Sequence, residues 1–261
     1  MAEQRPPRSA GTRDYFDRAA TNIPQFTVLN YGFSSEPENS VISSEEPEFY
    51  CLRLYEHALG TTPLAGSEVL EVSCGRGGGA HFVWHAYKPQ RLVGIDLSPE
   101  NIRLARSRAA LPGVEFLVGN AERLDFPDQS FDAVINIGAS HLYDDRRRFF
   151  AEARRVLRPG GSFCYTDGCW ADDNCTEDLL DAGLELLERS EITDNVLRAL
   201  RRDSARRTAL FDGLADSKLR EEYKHWAGVV GYRAYTRFEA GQTRYFSHRL
   251  RRPPGAAAAA R

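Results

Sequence analysis

The chain has 261 residues, 42% hydrophobic and 27% charged, a length and balance that fit one sizeable globular domain with an embedded cap. Its 34 basic and 37 acidic residues leave a formal charge of −3, which excludes the basic footprint expected of a nucleic-acid partner. No stretch approaches the roughly 18–20 uninterrupted apolar residues of a membrane span, and the N-terminus lacks a signal-peptide core, so a cytoplasmic location is expected.

Residues 1–12 and the tail 253–261, which closes on five alanines and Arg261, are expected to be mobile and without function. Residues 13–252 read as one domain that opens with an arm or lid over 13–60. Within the arm, Tyr15 to Ser44 is aromatic, rich in turn formers and read as irregular. Glu48 to Gly60 follows as an amphipathic helix, with Phe49, Leu52, Tyr55 and Leu59 three or four apart. From Glu68 the runs E-V-L-E-V-S (68–73), R-L-V-G-I-D (91–96), V-E-F-L-V-G (114–119), F-D-A-V-I-N (131–136) and S-F-C-Y-T-D (162–167) alternate with helical stretches. Strands apolar on both faces and separated by helices predict a mostly parallel, doubly wound sheet between helix layers, a three-layer Rossmann-like α/β fold. The helices are His81 to Tyr87, a second opened by Ser98-Pro99-Glu100 and running to about Ala110, and Arg147 to Leu157, stopped by Pro159-Gly160-Gly161. After Gly168 the rhythm changes. Asp178 to Arg207 reads as one long charged helix, Asp216 to Trp226 as another, and Tyr232, Tyr235 and Phe238 as a further helical turn. The segment 168–241 is therefore expected to be a helical acceptor-binding region, and 242–252 holds a last alternating strand. A sixth central strand has no place in this reading.

The loop after the first strand is E-V-S-C-G-R-G-G-G-A. Ligands of open α/β sheets bind beyond the carboxyl ends of the strands, and Gly75 and Gly77 sit where that turn must be tight. The same residues satisfy the G-x-G-x-x-A variant of a dinucleotide fingerprint. Asp96 ends the second strand, where an acid can accept hydrogen bonds from both ribose hydroxyls of a nicotinamide or any other adenosine cofactor. Helix capping is its plainer alternative. The blocks G-N-A-E-R-L-D-F-P-D after the third strand, N-I-G-A-S-H-L-Y after the fourth, and R-V-L-R-P-G-G complete a series of four motifs in order.

Over about residues 66–167, the cofactor-binding core, the sequence resembles the class I S-adenosylmethionine-dependent methyltransferases. The resemblance implies S-adenosyl-L-methionine as cofactor and S-adenosyl-L-homocysteine as product. It implies that Glu71, Ser73, Gly75 and Gly77 shape the methionine side, with Asn136 also on the cofactor side, and that Asp96 holds the ribose. Leu97 would lie against an adenine flanked by Asn120, Ala121 and Glu122, and Tyr15 and Tyr31 would close over the cofactor. Two positions depart from the common pattern, Ser73 where many relatives have glycine and Asn120 where many have aspartate. The loop, the A-S-H-L-Y stretch and the C-terminal Y-x-x-F-x-x-G-x-x-x-Y-F most resemble the phthiotriolone and phenolphthiotriolone dimycocerosate methyltransferase group, which O-methylates a secondary alcohol on a long lipid or polyketide chain.

Methyl transfer is an in-line displacement that needs the nucleophile about 3 Å from the methyl carbon and water excluded. An alcohol must also lose its proton. His141, just beyond the fourth strand, is the candidate general base, since an imidazole of ordinary pKa roughly 6.5 suits that role; a merely pocket-lining histidine is the bland alternative. Tyr143, Trp170, His225 and Tyr232 are candidate acceptor contacts, with packing or surface positions as the competing account. His81 and His85 lie four apart on one helix face but lack an adjacent glutamate and a third ligand, so no metal is expected. Arg146 to Arg148, Arg201-Arg202 and Arg206-Arg207 read as solvated helix faces. Five cysteines without C-x-x-C spacing indicate neither a disulfide framework nor a zinc site, and free thiols are expected. The expected function is transfer of a methyl group to a hydroxyl of an apolar small molecule, lipid or natural product. N- or C-methylation of a secondary metabolite is the alternative, followed by an NAD-dependent oxidoreductase or a non-catalytic cofactor-binding protein. A homodimer is left open.

Overall fold

In the computed structural model, which describes residues 11–108 and 111–255, the five apolar runs form β1 (Glu68–Val72), β2 (Arg91–Asp96), β3 (Val114–Val118), β4 (Phe131–Ile137) and β5 (Leu157–Trp170). With β6 (Glu185–Glu191) and β7 (Thr243–Arg251) they make one sheet of order β3-β2-β1-β4-β5-β7-β6. Strands β1 to β5 pair in parallel, whereas β7 runs antiparallel to both β5 and β6. The helices are α1 (Thr12–Asn22), α2 (Phe49–Leu59), α3 (Gly78–Tyr87), α4 (Pro99–Arg108), α5 (Arg146–Val156), α6 (Cys175–Asp181), α7 (Thr193–Asp212), α8 (Ser217–Trp226) and α9 (Arg233–Glu239).

Successive strand residues point to opposite faces, and here both faces are covered. Val69, Leu92, Ile135 and Cys164 join Leu54 and Ala58 of α2, Val83 of α3 and Leu200 of α7 in one core. Leu70, Val93, Val134 and Phe163 pack on the other face against Phe149, Phe150 and Ala153, the apolar stripe of α5. The strand order reverses between β1 and β4, and such a switch point is where the strand ends part to leave a crevice.

Several expectations need correction. The arm is not irregular from Tyr15 onward: α1 occupies its start, and Asp17 accepts hydrogen bonds from Ser98 Oγ (2.5 Å) and the Glu100 N–H (3.3 Å), docking α1 on the first turn of α4. Asp178 to Arg207 is not one helix. Gly183, at φ +79°, follows α6, and the next residues pair with β7 as β6 before α7 begins. Tertiary pairing outweighs the helix propensity of this Leu/Glu-rich segment, and the sixth strand in sequence lies at the edge of the sheet, with β7 as the central neighbour of β5. Cys169, near the end of β5, and Cys175, the first residue of α6, form a disulfide with Cα atoms 6.7 Å apart; Cys51, Cys74 and Cys164 are free and buried. A turn over 170–173 brings the pair together, a juxtaposition that spacing alone does not reveal. Arg146 and Arg207 are buried rather than solvated. The expected tails lie outside the described residues except for Gly11, Thr12 and residues 253–255, and Thr12 already belongs to α1. Among the described residues, no helix is long and apolar enough to cross a membrane.

Candidate active site

The loop between β1 and α3 turns back on itself through Gly75 (φ +55°) and Gly77 (φ +78°), conformations that glycine adopts without steric cost. Ser73 takes a similar left-handed backbone (φ +59°), uncommon for a residue with a Cβ. Its hydroxyl is 2.6 Å from the Tyr143 hydroxyl, which also accepts from Asn136 Nδ2 at 2.8 Å. The same amide nitrogen donates to the Val72 carbonyl at 3.0 Å. Serine in place of glycine thus brings a hydrogen-bonded side chain into the loop. Arg76, fully buried, donates through Nη1 to the carbonyls of Ile23 (2.5 Å) and Phe26 (2.7 Å), tying the loop to the arm. Burial pulls its guanidinium down to about 10.

Asp96 at the end of β2 is buried. It accepts from the N–H groups of Gly75 and Ser98, each at 2.9 Å, and from Asn101 Nδ2 at 3.2 Å. A carboxylate offers roughly four acceptor positions, so room for a further donor is left on it. A cavity opens here, roofed by arm residues 26–31 and by Trp226 and Ala227. Ser73, Gly75, Asp96, Leu97, Asn120, Ala121 and Glu122 wall one part of it, and Tyr31, His141 and Tyr143 another. Glu71, Gly77 and Asn136 are not among its lining residues; Glu71 and Asn136 lie near the ends of the paired strands β1 and β4. Tyr15 stands behind the wall against Phe16, Tyr223 and Trp226, and Phe16 reaches the cavity in its stead. Trp170 lies under the Arg237 guanidinium, and His225 accepts from the Arg233 N–H with its ring beside Tyr232. Neither Trp170, His225 nor Tyr232 reaches the cavity wall.

His141 sits in a single 3₁₀ turn, Ser140–Leu142, directly after β4. Its Nδ1 is 2.7 Å from Oδ1 of Asp167, a residue of β5 with no exposed surface. Asp167 also accepts from Ser140 Oγ (2.6 Å), the His141 N–H (2.9 Å) and the Gly168 N–H (2.7 Å). Burial alone would raise its carboxyl, but the charge and hydrogen bond of His141, with the bonds from Ser140 and the backbone, outweigh that and hold it below the usual carboxylate range. An ionised Asp167 can only accept, so Nδ1 carries a proton, and whenever the ring is neutral the lone pair lies on Nε2. Sequence reasoning missed Asp167, although it closes the run S-F-C-Y-T-D much as Asp96 closes the second run. It also missed Arg207 and Tyr245, which arrive at the cavity from α7 and β7.

The residues fit an adenosine cofactor with a cationic end. Among the described residues, Glu71 Oε2 and Asn136 Oδ1 are buried acceptors without a partner, and Leu97, at the cavity wall, is 45% exposed. Burial pushes Glu71 up to about 7; the Tyr55 hydroxyl that donates to it (2.6 Å) opposes the shift and the charge of Asp96 adds to it. Because the folded-state value lies above the unfolded one, ionisation of Glu71 makes the empty protein less stable as pH rises from about 4.5 to about 7. A cation held at Glu71 would favour the ionised form, and S-adenosylmethionine binding there near neutral pH would release protons, with affinity falling as pH falls through about 7. Calorimetry in buffers of different ionisation enthalpy measures the release, and Glu71→Gln should abolish it.

A family model described as a methyltransferase domain matches residues 70–165. A phthiotriol/phenolphthiotriol dimycocerosates methyltransferase of Mycobacterium leprae is 37% identical over 230 residues, covering 85% of this chain and 83% of its own. A fatty-acid O-methyltransferase of Mycolicibacterium smegmatis is 36% identical over 223 residues, covering 83% and 80%. Among solved structures, the cyclase SpnF matches with a TM-score of 0.74 at 22% identity, over 93% of this chain and 95% of its own. A geranyl diphosphate C-methyltransferase of Streptomyces coelicolor, solved with S-adenosylhomocysteine, matches at 0.66 and 16% identity, over 96% and 100%. At these identities the solved structures speak to fold alone. The chain belongs to the class I S-adenosylmethionine-dependent methyltransferases, and S-adenosylmethionine is its cofactor. Within that family it is similar to the phthiotriol/phenolphthiotriol dimycocerosates methyltransferases.

Proposed function

We propose that this methyltransferase modifies a hydroxyl group on an apolar, lipid- or polyketide-like acceptor, with His141 as general base and Asp167 as the residue that orients it. The observation that carries the reading is the hydrogen bond from His141 Nδ1, at the cofactor cavity, to the fully buried Asp167. S-adenosylmethionine, when bound, supplies a methyl carbon whose bond to sulfur breaks in line as a new bond forms, the electron pair staying on sulfur. An alcohol becomes a competent nucleophile only as its proton leaves. Nε2 of His141 takes that proton, and the resulting imidazolium is stabilised by the Asp167 carboxylate at Nδ1. Such a base contributes about 10²–10⁴-fold, and an amine acceptor would not need it. Phe26, Leu29 and Trp226 line the cavity and keep water from the reacting atoms. The names of the relatives support an oxygen acceptor on a lipid.

The test is a panel of long-chain secondary alcohols, amines and β-keto acids of matched length, incubated with enzyme and S-adenosylmethionine. Methyl ethers formed in step with S-adenosylhomocysteine are expected from the alcohols. Methylation confined to nitrogen or carbon would overturn the reading.

A further inference from the structure

We propose that the phenolic hydroxyl of Tyr245 is a positioning group for the acceptor oxygen next to His141, and that the oxygen it receives belongs to an uncharged alcohol, not to a carboxylate. The inference rests on the hydroxyl-methylating reading above and names the partner that reading lacks.

Tyr245 is fully buried, walls the cavity, and has no hydrogen-bond partner for its hydroxyl. A buried phenol normally finds one, because leaving its O–H unpaired costs free energy. The ring cannot swing away to look for one: Tyr31 and Phe238 pack on it with centroids 6.1 and 5.9 Å away. Its place is fixed by register, since Tyr245 on β7 pairs with Gly168, the neighbour of Asp167 on β5. From there the hydroxyl reaches Gly138, three residues before His141, where a Cβ would come within 2.9 Å of it. Gly138, at φ +67°, keeps that space open. Burial, with the Asp167 charge next in effect, holds the phenol well above its ordinary value, so it remains a donor at any physiological pH.

The same walls disfavour an anion. Among the described residues that line the cavity, the one lysine or arginine is Arg207, and all three of its nitrogens are engaged. Nε donates to Asp203 (2.8 Å), Nη1 to the Ala227 carbonyl (2.6 Å), and Nη2 to the Asn30 carbonyl (3.1 Å) and Cys51 Sγ (3.3 Å). A carboxylate would enter a desolvated space beside ionised Asp167, where the one lining guanidinium, Arg207, is already paired with Asp203. An alcohol matches the groups present. Its O–H donates to His141 Nε2, one lone pair accepts from the Tyr245 O–H, and the other forms the bond to carbon. The acceptor proton ends on Nε2, and Tyr245 keeps its own throughout.

The test is calorimetry on the full chain saturated with S-adenosylhomocysteine, titrated with 2-decanol and with decanoate. The wild-type protein should bind 2-decanol at least about tenfold more tightly than decanoate. Tyr245→Phe, which removes one oxygen and keeps the ring, should bind 2-decanol about 3- to 10-fold more weakly, with S-adenosylhomocysteine affinity and melting temperature unchanged. Equal binding of 2-decanol by Tyr245→Phe and wild type would overturn the role of Tyr245. Decanoate binding as tight as or tighter than 2-decanol would overturn the uncharged class, and it can be read on the wild type even if the variant fails to fold. Failure of the wild type to bind either probe would overturn the hydroxyl reading itself, and this inference with it.

Discussion

Asp167→Asn should lower the single-turnover rate of methyl transfer to a long-chain secondary alcohol by about 10²–10⁴-fold, with S-adenosylmethionine affinity unchanged within about twofold. The carboxylate fixes the proton of His141 on Nδ1, which leaves Nε2 free to accept. An asparagine can present its amide N–H to Nδ1. The ring then adopts the other tautomer, with its lone pair facing the amide and its proton facing the acceptor, and the base is lost although its geometry survives. His141→Ala removes the base outright and should cost tenfold or more. The double variant should be little worse than the worse of the two singles, because the residues act as one unit. A thermal melt of each variant separates this from unfolding. Full turnover in Asp167→Asn would reduce the pair to packing.

The second large effect is on stability. Arg207→Met should cost about 3–5 kcal/mol in denaturant unfolding, because removing one partner from a buried charged network leaves the others uncompensated. Arg207 fastens α7 to three other parts of the chain: Asn30 in the arm, Cys51 in α2, and Ala227 at the end of α8. Its loss strands the buried Ala227 carbonyl, leaves the Asn30 carbonyl only the weak Cys51 thiol donor, and leaves Asp203 to Arg206 alone. Arg148→Met, at an exposed arginine of α5, should change stability by no more than about 0.5 kcal/mol. Comparable losses at the two positions would mean that the buried network is energetically idle.

The central strands were legible because they are covered on both faces, which forces continuous apolar runs such as Val69-Leu70 and Leu92-Val93. β6 was not. It is an edge strand whose residues are mostly exposed glutamates, a serine and an arginine, and it carries no periodic apolar signal. The cavity wall from Ser73 to Glu122 was legible for a related reason: its residues lie in short local motifs at strand ends. The acceptor side is assembled from distant pieces. His141 could be singled out within A-S-H-L-Y, but Asp167 gains its meaning only because β5 lies next to β4, where Ile137 pairs with Thr166. Tyr245 depends on an antiparallel strand from the far end of the chain. For Trp170, His225 and Tyr232, residue type alone cannot separate a cavity wall from ordinary packing.

The position of β7 bears on how the molecule comes into being. It is the last strand in sequence, yet it lies between β5 and β6, which do not touch each other without it. During synthesis, β1 to β5 can pair on the ribosome in the order in which they emerge. β6 must wait unpaired until the C-terminal strand arrives. The nascent chain can therefore assemble the strands that carry Asp96 and the glycine loop early, but the cavity wall that Tyr245 supplies is in place only when almost the whole polypeptide has been made. A ribosome that stops before Tyr245 releases a chain whose cavity lacks that wall.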